Sequence, residues 1–214
     1  MDWKKALRAA RTDPLKVPQY LLGALYRLRL LGNRRVRMGQ GVRLIGVPLV
    51  DLRGNSRLVL GNGVLLNSSN RGYFAALYGP VKLFADHDGA SITIGDHTRI
   101  HGSCIHAYNS VSIGRNCLIA ANTVIVDSDG HDPFPSAIED RLPTQKVGVP
   151  VVIEDNVWIG MNCIILKGVC IGTGSVIGAG SVVRRSIPPF SLASGNPSTV
   201  VRRVEAEPHP GLAP

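Results

Sequence analysis

The chain has 214 residues, enough for one domain with a sizeable core, and its 44% hydrophobic and 18% charged content excludes a disordered polymer. Aromatic residues make up only 5%, so the interior must be built from Val, Ile, Leu and small side chains. The net charge of +9 is confined to one place: residues 1–43 hold eleven cations and two anions, while the rest of the chain is balanced, so the basic character belongs to an N-terminal segment suited to an anionic contact.

That segment, residues 1–40, reads as helical. Val17–Leu31 is "VPQYLLGALYRLRLL", in which Leu21, Leu22, Leu25 and Leu28 can share one helical face, and Arg34, Arg35 and Arg37 follow. The run is too short, and too interrupted by Arg27 and Arg29, to span a bilayer. Two roles are open to it: a cap on the end of the body, with solvated arginines, or a helix lying on a membrane surface near anionic lipid. Nucleic acid is disfavoured, because no binding motif accompanies the charge.

From residue 41 to 204 aliphatic residues recur every six positions. The series is clearest in Ile153, Ile159, Ile165, Ile171, Ile177 and Val183, and two residues before each stand Val151, Val157, Cys163, Val169, Ser175 and Ser181. Upstream, Leu44 and Val50, Leu60 and Leu66, Ile94 and Ile100, and then Ile113, Ile119 and Ile125 keep the same step. A helix needs a period of 3.6 and a two-faced strand a period of two. Six fits short strands joined by tight turns, three to a coil, with each coil stacked on the last. The step from Ile100 to Ile113 is thirteen, which places a one-residue insertion near His106–Asn109. Two longer insertions are expected, at about 67–89 and 126–150. Ile187–Arg203 reads as the far end of the stack, and residues 205–214 as a disordered tail.

The cysteines Cys104, Cys117, Cys163 and Cys170 show no metal-ligand spacing. Cys104, Cys117 and Cys163 fall on or close to the small inward position and read as core filler. The chain opens on charge without a secretory signal, so a reduced, cytoplasmic setting is expected.

The repeat is similar to that of the hexapeptide-repeat acyltransferases, and within them most similar to the galactoside, maltose and polysaccharide-type sugar O-acetyltransferases. The matching pieces are Asn156-Val157-Trp158-Ile159-Gly160, Ile177-Gly178-Ala179-Gly180-Ser181, Ile187-Pro188-Pro189 and Gly195-Asn196-Pro197. The resemblance implies an all-β fold, a left-handed parallel β-helix, with an N-terminal helical segment and an extended loop. It also implies a homotrimer with sites between subunits, acetyl-CoA as acyl donor, and a small-molecule or glycan acceptor carrying a hydroxyl.

In that family a histidine opens the loop before the "VWIG" coil, and Gly130-His131 stands there in this chain. A hydroxyl becomes a good nucleophile when its proton is removed during attack on the thioester, and imidazole suits that task at neutral pH. A carboxylate can hold the ring tautomer. Asp127, Asp129 and Asp132 are candidates, and the sequence does not choose among them. By position in the family, Trp158, Met161, Ala179, Arg184, Arg185 and Arg202 are expected to touch the cofactor. Thr199 stands where some relatives carry an arginine. Tyr108 and Asn109 align near acceptor-contacting positions.

Other readings stay open at this level. One is N-acetylation of an amino sugar. A second is a γ-type carbonic anhydrase with zinc on His87, His101 and His106. A third is a scaffold without activity. The preferred reading expects no metal and places the chain in the cytoplasm, with a peripheral position at the inner membrane surface if the basic segment binds lipid.

Overall fold

The computed structural model describes residues 13–142 and 147–203. Lys4, Lys5, Arg8 and Arg11 of the basic segment, Pro143 of the long loop and the expected tail at 205–214 lie outside the described residues.

A short 3-10 turn at Pro14–Lys16 leads into helix α1, Val17–Leu31. Three-strand coils follow. The first is β1 (Val36–Met38), β2 (Arg43–Ile45) and β3 (Leu49–Leu52). The second is β4 (Arg57–Leu60), β5 (Leu65–Asn67) and β6 (Lys82–Ala85). The third is β7 (Ser91–Ile94), β8 (Arg99–His101) and β9 (Cys104–Ala107), and the fourth β10 (Ser110–Ile113), β11 (Leu118–Ile119) and β12 (Val124–Val126). After the long loop come β13 (Val151–Ile153), β14 (Trp158–Ile159) and β15 (Ile164–Ile165), then β16 (Cys170–Ile171), β17 (Val176–Ile177) and β18 (Val182–Val183). A hairpin, β19 (Ser191–Gly195) and β20 (Ser198–Arg203), ends the described chain.

Every third strand pairs in parallel with the one a coil earlier, which produces three sheets around one core. The architecture is a left-handed parallel β-helix. Its interior is the six-residue ladder: Ile153, Ile159, Ile165, Ile171, Ile177 and Val183 are fully or almost fully buried, as are the smaller residues two positions before each. Burying one such aliphatic side chain is worth about 1.5–3 kcal/mol. No coil can do this alone, because each coil's inner face and hydrogen bonds are completed by its neighbours. At the far end β20 pairs antiparallel with β19, which itself runs parallel to β17. This hairpin occupies an edge that would otherwise be open to another chain.

The turns explain the Gly and Asn punctuation. At the first corner, between the first and second sheets, one residue per coil takes a left-handed conformation: Gly41, Gly63, His97, Asn116, Asn156 and Gly174, with φ from 56° to 69°. Gly and Asn tolerate that region best.

The structure revises several boundaries. The β-helix begins at Val36 and not at 41, because the inward Val36 and Met38 are hidden in sequence by flanking arginines. The insertion at 67–89 contains a coil strand, β6, whose Leu83 and Ala85 point inward, so the irregular stretch proper is 68–81. Between Val126, which ends β12, and Val151, which opens β13, the described residues hold no strand, only a 3-10 turn at Ile138–Arg141.

The thirteen-residue step from Ile100 to Ile113 is made differently from a single insertion. Inward Ile105 follows Ile100 after five residues, one short, because His101-Gly102 makes a tighter turn. Eight residues then separate Ile105 from Ile113, two over the beat, and the corner Tyr108-Asn109 lies in this step, beyond the inward Ala107. Strand β9 itself pairs without a bulge. The same shift corrects Cys104. Ser103 takes the inner position and Cys104 faces outward, whereas Cys117 and Cys163 are buried as expected. Burial raises the Cys117 and Cys163 thiols, and each lies against a carbonyl oxygen, which fits inert filler.

Candidate active site

The long loop leaves the β-helix at the third corner, between the third and first sheets, and its neck is tightly tied. The Val149 amide donates to the Asp127 carbonyl at 2.6 Å, and the Asn109 side-chain amide donates to the Gly148 carbonyl at 3.1 Å. Gly148 must lack a side chain: a Cβ there would lie 2.8 Å from the Asn109 nitrogen and 2.9 Å from an Asp127 oxygen. Just beyond the neck the Ser128 hydroxyl accepts from the Gly130 amide at 3.0 Å. Gly130 adopts φ of 79°, and His131 follows it, exposed to solvent.

Each candidate aspartate can now be placed. Asp127 is fully buried, at the register position that Ala107 fills one coil earlier. Its two carboxylate oxygens accept from the Tyr108 and Asn109 amides, each at 2.7 Å. Asp129 pairs with Lys167 across to the next coil. Asp132 is buried and accepts from the Phe134 amide at 2.9 Å, which forms a local turn. Within one chain the partners of Asp127 are two backbone amides and that of Asp129 is Lys167. Asp127 holds the corner on which the loop stands, and Asp129 ties the loop to Lys167.

Beside the loop lies a set of side chains that sequence reasoning left unconnected. Asp51, Phe84, His106 and Val126 are register partners on the outer face of the third sheet. The Phe84 and His106 rings stack at 4.6 Å with a 4° interplanar angle. His106 Nε2 lies 3.3 Å from one oxygen of Asp86, whose other oxygen accepts from Arg53 at 2.6 Å. Arg53 also sits over the Phe84 ring, 4.7 Å from its centroid. Tyr108 packs against His87 at 4.1 Å and His106 at 5.0 Å. Burial, then the Asp86 charge and a hydrogen bond to it, raise the Tyr108 phenol. A Cβ on Gly130 would stand 3.8 Å from the Tyr108 hydroxyl, so this column reaches the residue next to His131. The alternation in "KLFAD" and "CIHAY" was the available signal: outward residues of successive coils must stack.

The cofactor candidates divide between two corners. Arg184 and Arg185 follow β18 on the third corner, one coil past Lys167. With Pro197, Ser198 and Thr199 they line a cavity of about 170 Å³. Arg202 is exposed on β20 opposite Leu192 and is not part of that lining. Met161 and Ala179 occupy successive turns of the second corner, where the Gly180 amide donates to the Met161 carbonyl at 2.8 Å. Gly160 fits there because a Cβ would meet the Ala179 nitrogen at 2.6 Å. Trp158 stands half-exposed on the second sheet, between Leu118 and Val176.

The histidines of the zinc reading do not converge. His101 is buried on the second sheet, stacked on Tyr73 at 4.4 Å and 3.3 Å from the Asn67 side-chain amide, whereas His106 belongs to the third sheet. Burial, with Arg99 nearby, lowers the His101 imidazole to about 4. Among the described residues no three His, Cys, Asp or Glu side chains gather as a metal site. Nor is any described helix long and apolar enough to cross a membrane.

Comparison with known proteins fits this geometry. Residues 150–185 match the bacterial transferase hexapeptide model of six repeats, and residues 91–126 match the hexapeptide repeat of succinyl-transferase. The galactoside O-acetyltransferase of Escherichia coli is 44% identical over 95 residues, 44% of this chain and 45% of that protein. A hexapeptide-repeat acetyltransferase of Vibrio cholerae, solved with acetyl-CoA, is 32% identical, with 57% of this chain and 70% of that one covered and a TM-score of 0.50. The chain belongs to the hexapeptide-repeat acetyltransferase family. A galactoside acetyltransferase solved with coenzyme A is a further member of similar structure, 28% identical over 79% of this chain and 65% of that one, with a TM-score of 0.51. The match spans 45% to 58% of the length of the Escherichia coli galactoside O-acetyltransferase and two yeast relatives, and 30% to 31% of several Staphylococcus aureus ones. The two family models stop on either side of the long loop, one at the end of β12 and one at the start of β13. They describe the scaffold, and His131 lies between them.

Proposed function

We propose that the protein is an acyl-CoA-dependent O-acetyltransferase that moves an acetyl group from acetyl-CoA to a sugar hydroxyl in a surface polysaccharide or glycolipid. The observation that carries this reading is the third corner. It presents the loop whose Gly130 lies against the Tyr108 hydroxyl and whose exposed His131 follows, with the turn that carries Arg184 and Arg185 two coil steps away, about 10 Å along the same edge at ordinary strand spacing.

His131 acts as the general base. It accepts the hydroxyl proton as the oxygen attacks the thioester carbonyl, and the proton then passes to the departing thiolate, so that coenzyme A leaves as a thiol. The tied loop neck fixes the base relative to the corner. Arg184 and Arg185 suit the cofactor phosphates, and Thr199 in the same cavity removes one cation that some relatives supply. Tyr108 and Asn109 face the acceptor, beside the column of Phe84 and His106.

The working unit is a homotrimer. The cofactor residues sit on two corners, so a continuous path for a long, thin molecule takes one corner from each of two copies. The loop also presents Phe134, Ile138, Leu142 and Val147, each three-quarters or more exposed, as surface for a neighbour to cover. The protein works in the cytoplasm, and its basic N-terminal segment gives it a peripheral contact at the inner membrane surface, where a lipid-carried acceptor would be met.

The test is acetyl-CoA consumption against a panel of mono- and oligosaccharides, with the product treated with alkali. An alkali-labile acetyl ester is expected. An alkali-stable acetamide would replace the reading with N-transfer, and no consumption with any sugar would remove it.

A further inference from the structure

We infer that α1 is an interfacial anchor, mounted with its apolar face outward, that lies in the headgroup region of an anionic membrane. The inference rests on the peripheral contact proposed above and is independent of the acyl-transfer chemistry.

The orientation of α1 is the reverse of an ordinary surface helix. Gly23 and Leu30 are buried against the β-helix, with Tyr26 beside them. Gly23 sets the approach, since a Cβ there would overlap the Leu44 carbonyl oxygen. The half-buried polar residues Gln19 and Arg27 lie to the same side as Gly23 at 100° per residue, and the Gln19 carbonyl accepts from the Gly46 amide at 2.9 Å. The opposite side is leucine. The exposed residues of α1 are Pro18, Leu21, Leu22, Leu25, Leu28, Arg29 and Leu31, so Arg29 is the one charge among them. The five leucines are 43–64% exposed. Because Gly23 fixes the inner face at backbone distance, rolling the helix to bury its leucines would drive a side chain into β2.

A contiguous face of this kind needs a partner. Charge selects which. α1 contains no acidic residue, and Arg29, Arg34 and Arg37 are exposed on it or just after it. A second copy laid parallel and face to face would bring these cations against their own images, and an antiparallel one would set them toward Lys16 with no acidic residue on the helix to meet them. An anionic lipid surface complements them and takes the leucines below the headgroups. Length excludes spanning: fifteen residues of helix reach about 22 Å, short of the roughly 30 Å hydrocarbon core. Arg35 is not part of the face. Its guanidinium donates to the Leu52 and Gly54 carbonyls at 2.7 and 2.8 Å and belongs to the β-helix.

The test is co-sedimentation of the full chain with vesicles of phosphatidylcholine alone or mixed with phosphatidylglycerol, at low and high salt, beside the oligomeric mass from light scattering. The parent protein should pellet with the anionic vesicles and much less with the neutral ones. The combined variant Leu21→Ser, Leu25→Ser, Leu28→Ser should lose about ten-fold or more in partitioning while keeping its melting temperature, mass and acetyl-CoA affinity. The variant Arg29→Glu, Arg34→Glu, Arg37→Glu should lose the preference for anionic lipid. Parent protein left in the supernatant overturns the inference. So does equal pelleting of the serine variant, or a fall in its oligomeric mass, which would assign the leucine face to a second copy. Failure of acetyl transfer alone leaves these readings unmoved.

Discussion

Replacing Asp127 with alanine separates two roles for this residue. If Asp127 holds the corner, the substitution strips the acceptor from two amides, those of Tyr108 and Asn109, which it meets at 2.7 Å each from a fully buried position. A buried amide left without a partner costs about 1–3 kcal/mol, so the pair costs roughly 2–6 kcal/mol. For a chain of this size each kcal/mol lowers the melting temperature by about 2–4 °C, and a fall of roughly 4–24 °C is expected by calorimetry. The loop neck shares the same corner through Asn109 and Gly148, so kcat should fall together with stability. Asp127→Asn keeps one acceptor and should lose less in both. A variant that melts within about 2 °C of the parent but has lost most of its kcat would refute this account and return Asp127 to the role of orienting the base.

Other consequences follow from neighbouring features. The His101 imidazole is lowered from 6.5 to about 4 in the folded chain, so between those values the unfolded state binds the extra proton; stability should fall by up to about 3 kcal/mol as pH drops through that window and level off below it. Urea unfolding of His101→Gln should show a flatter pH dependence, and an unchanged slope would contradict the assignment. Replacing Arg184 and Arg185 together with alanine should weaken acetyl-CoA binding about ten-fold at low salt with little change in melting, because both are exposed beside one cavity; calorimetric titration with unchanged affinity would remove them from the cofactor site. Gly160→Ala should destabilise by about 1–3 kcal/mol, since its Cβ would press on the backbone of Ala179 at 2.6 and 2.8 Å and backbone cannot step aside; a melting temperature equal to the parent's would show that the turns can separate.

The core was legible because its physics repeats. A narrow three-sided interior accepts the same residue class at the same place in every coil, so Ile153 to Val183 announce themselves by spacing. Legibility failed where the beat changes without losing its sum. The five-residue and eight-residue steps around Ile105 read in sequence as one inserted residue, and Cys104 was placed inside when Ser103 belongs there. Strand β6 was lost within an insertion because a single isolated strand shows no period.

The site divides in the same way. His131 is a candidate from its place before the "VWIG" coil, and the structure puts it, exposed, on a loop whose neck is tied by Asp127, Asn109 and Gly148. The aspartates could not be assigned, because a carboxylate's partner depends on which coil lies beneath it, and Asp127 accepts from backbone amides one coil earlier. The column Arg53, Phe84, Asp86, His106 and Tyr108 draws on residues up to 55 apart in sequence, brought together only by register. The leucines of α1 were visible, but the face they occupy was not. One glycine, Gly23, decides it.

The measurement that bears most directly on the central claim is the steady-state kinetics of His131→Ala with acetyl-CoA and an acceptor found by the sugar panel. The account predicts a fall in kcat of about 10²–10⁴-fold, with acetyl-CoA affinity by titration within about three-fold of the parent, because a lost general base removes transition-state help and leaves ground-state binding intact. A variant that keeps its kcat would contradict the account and move the chemistry away from this loop.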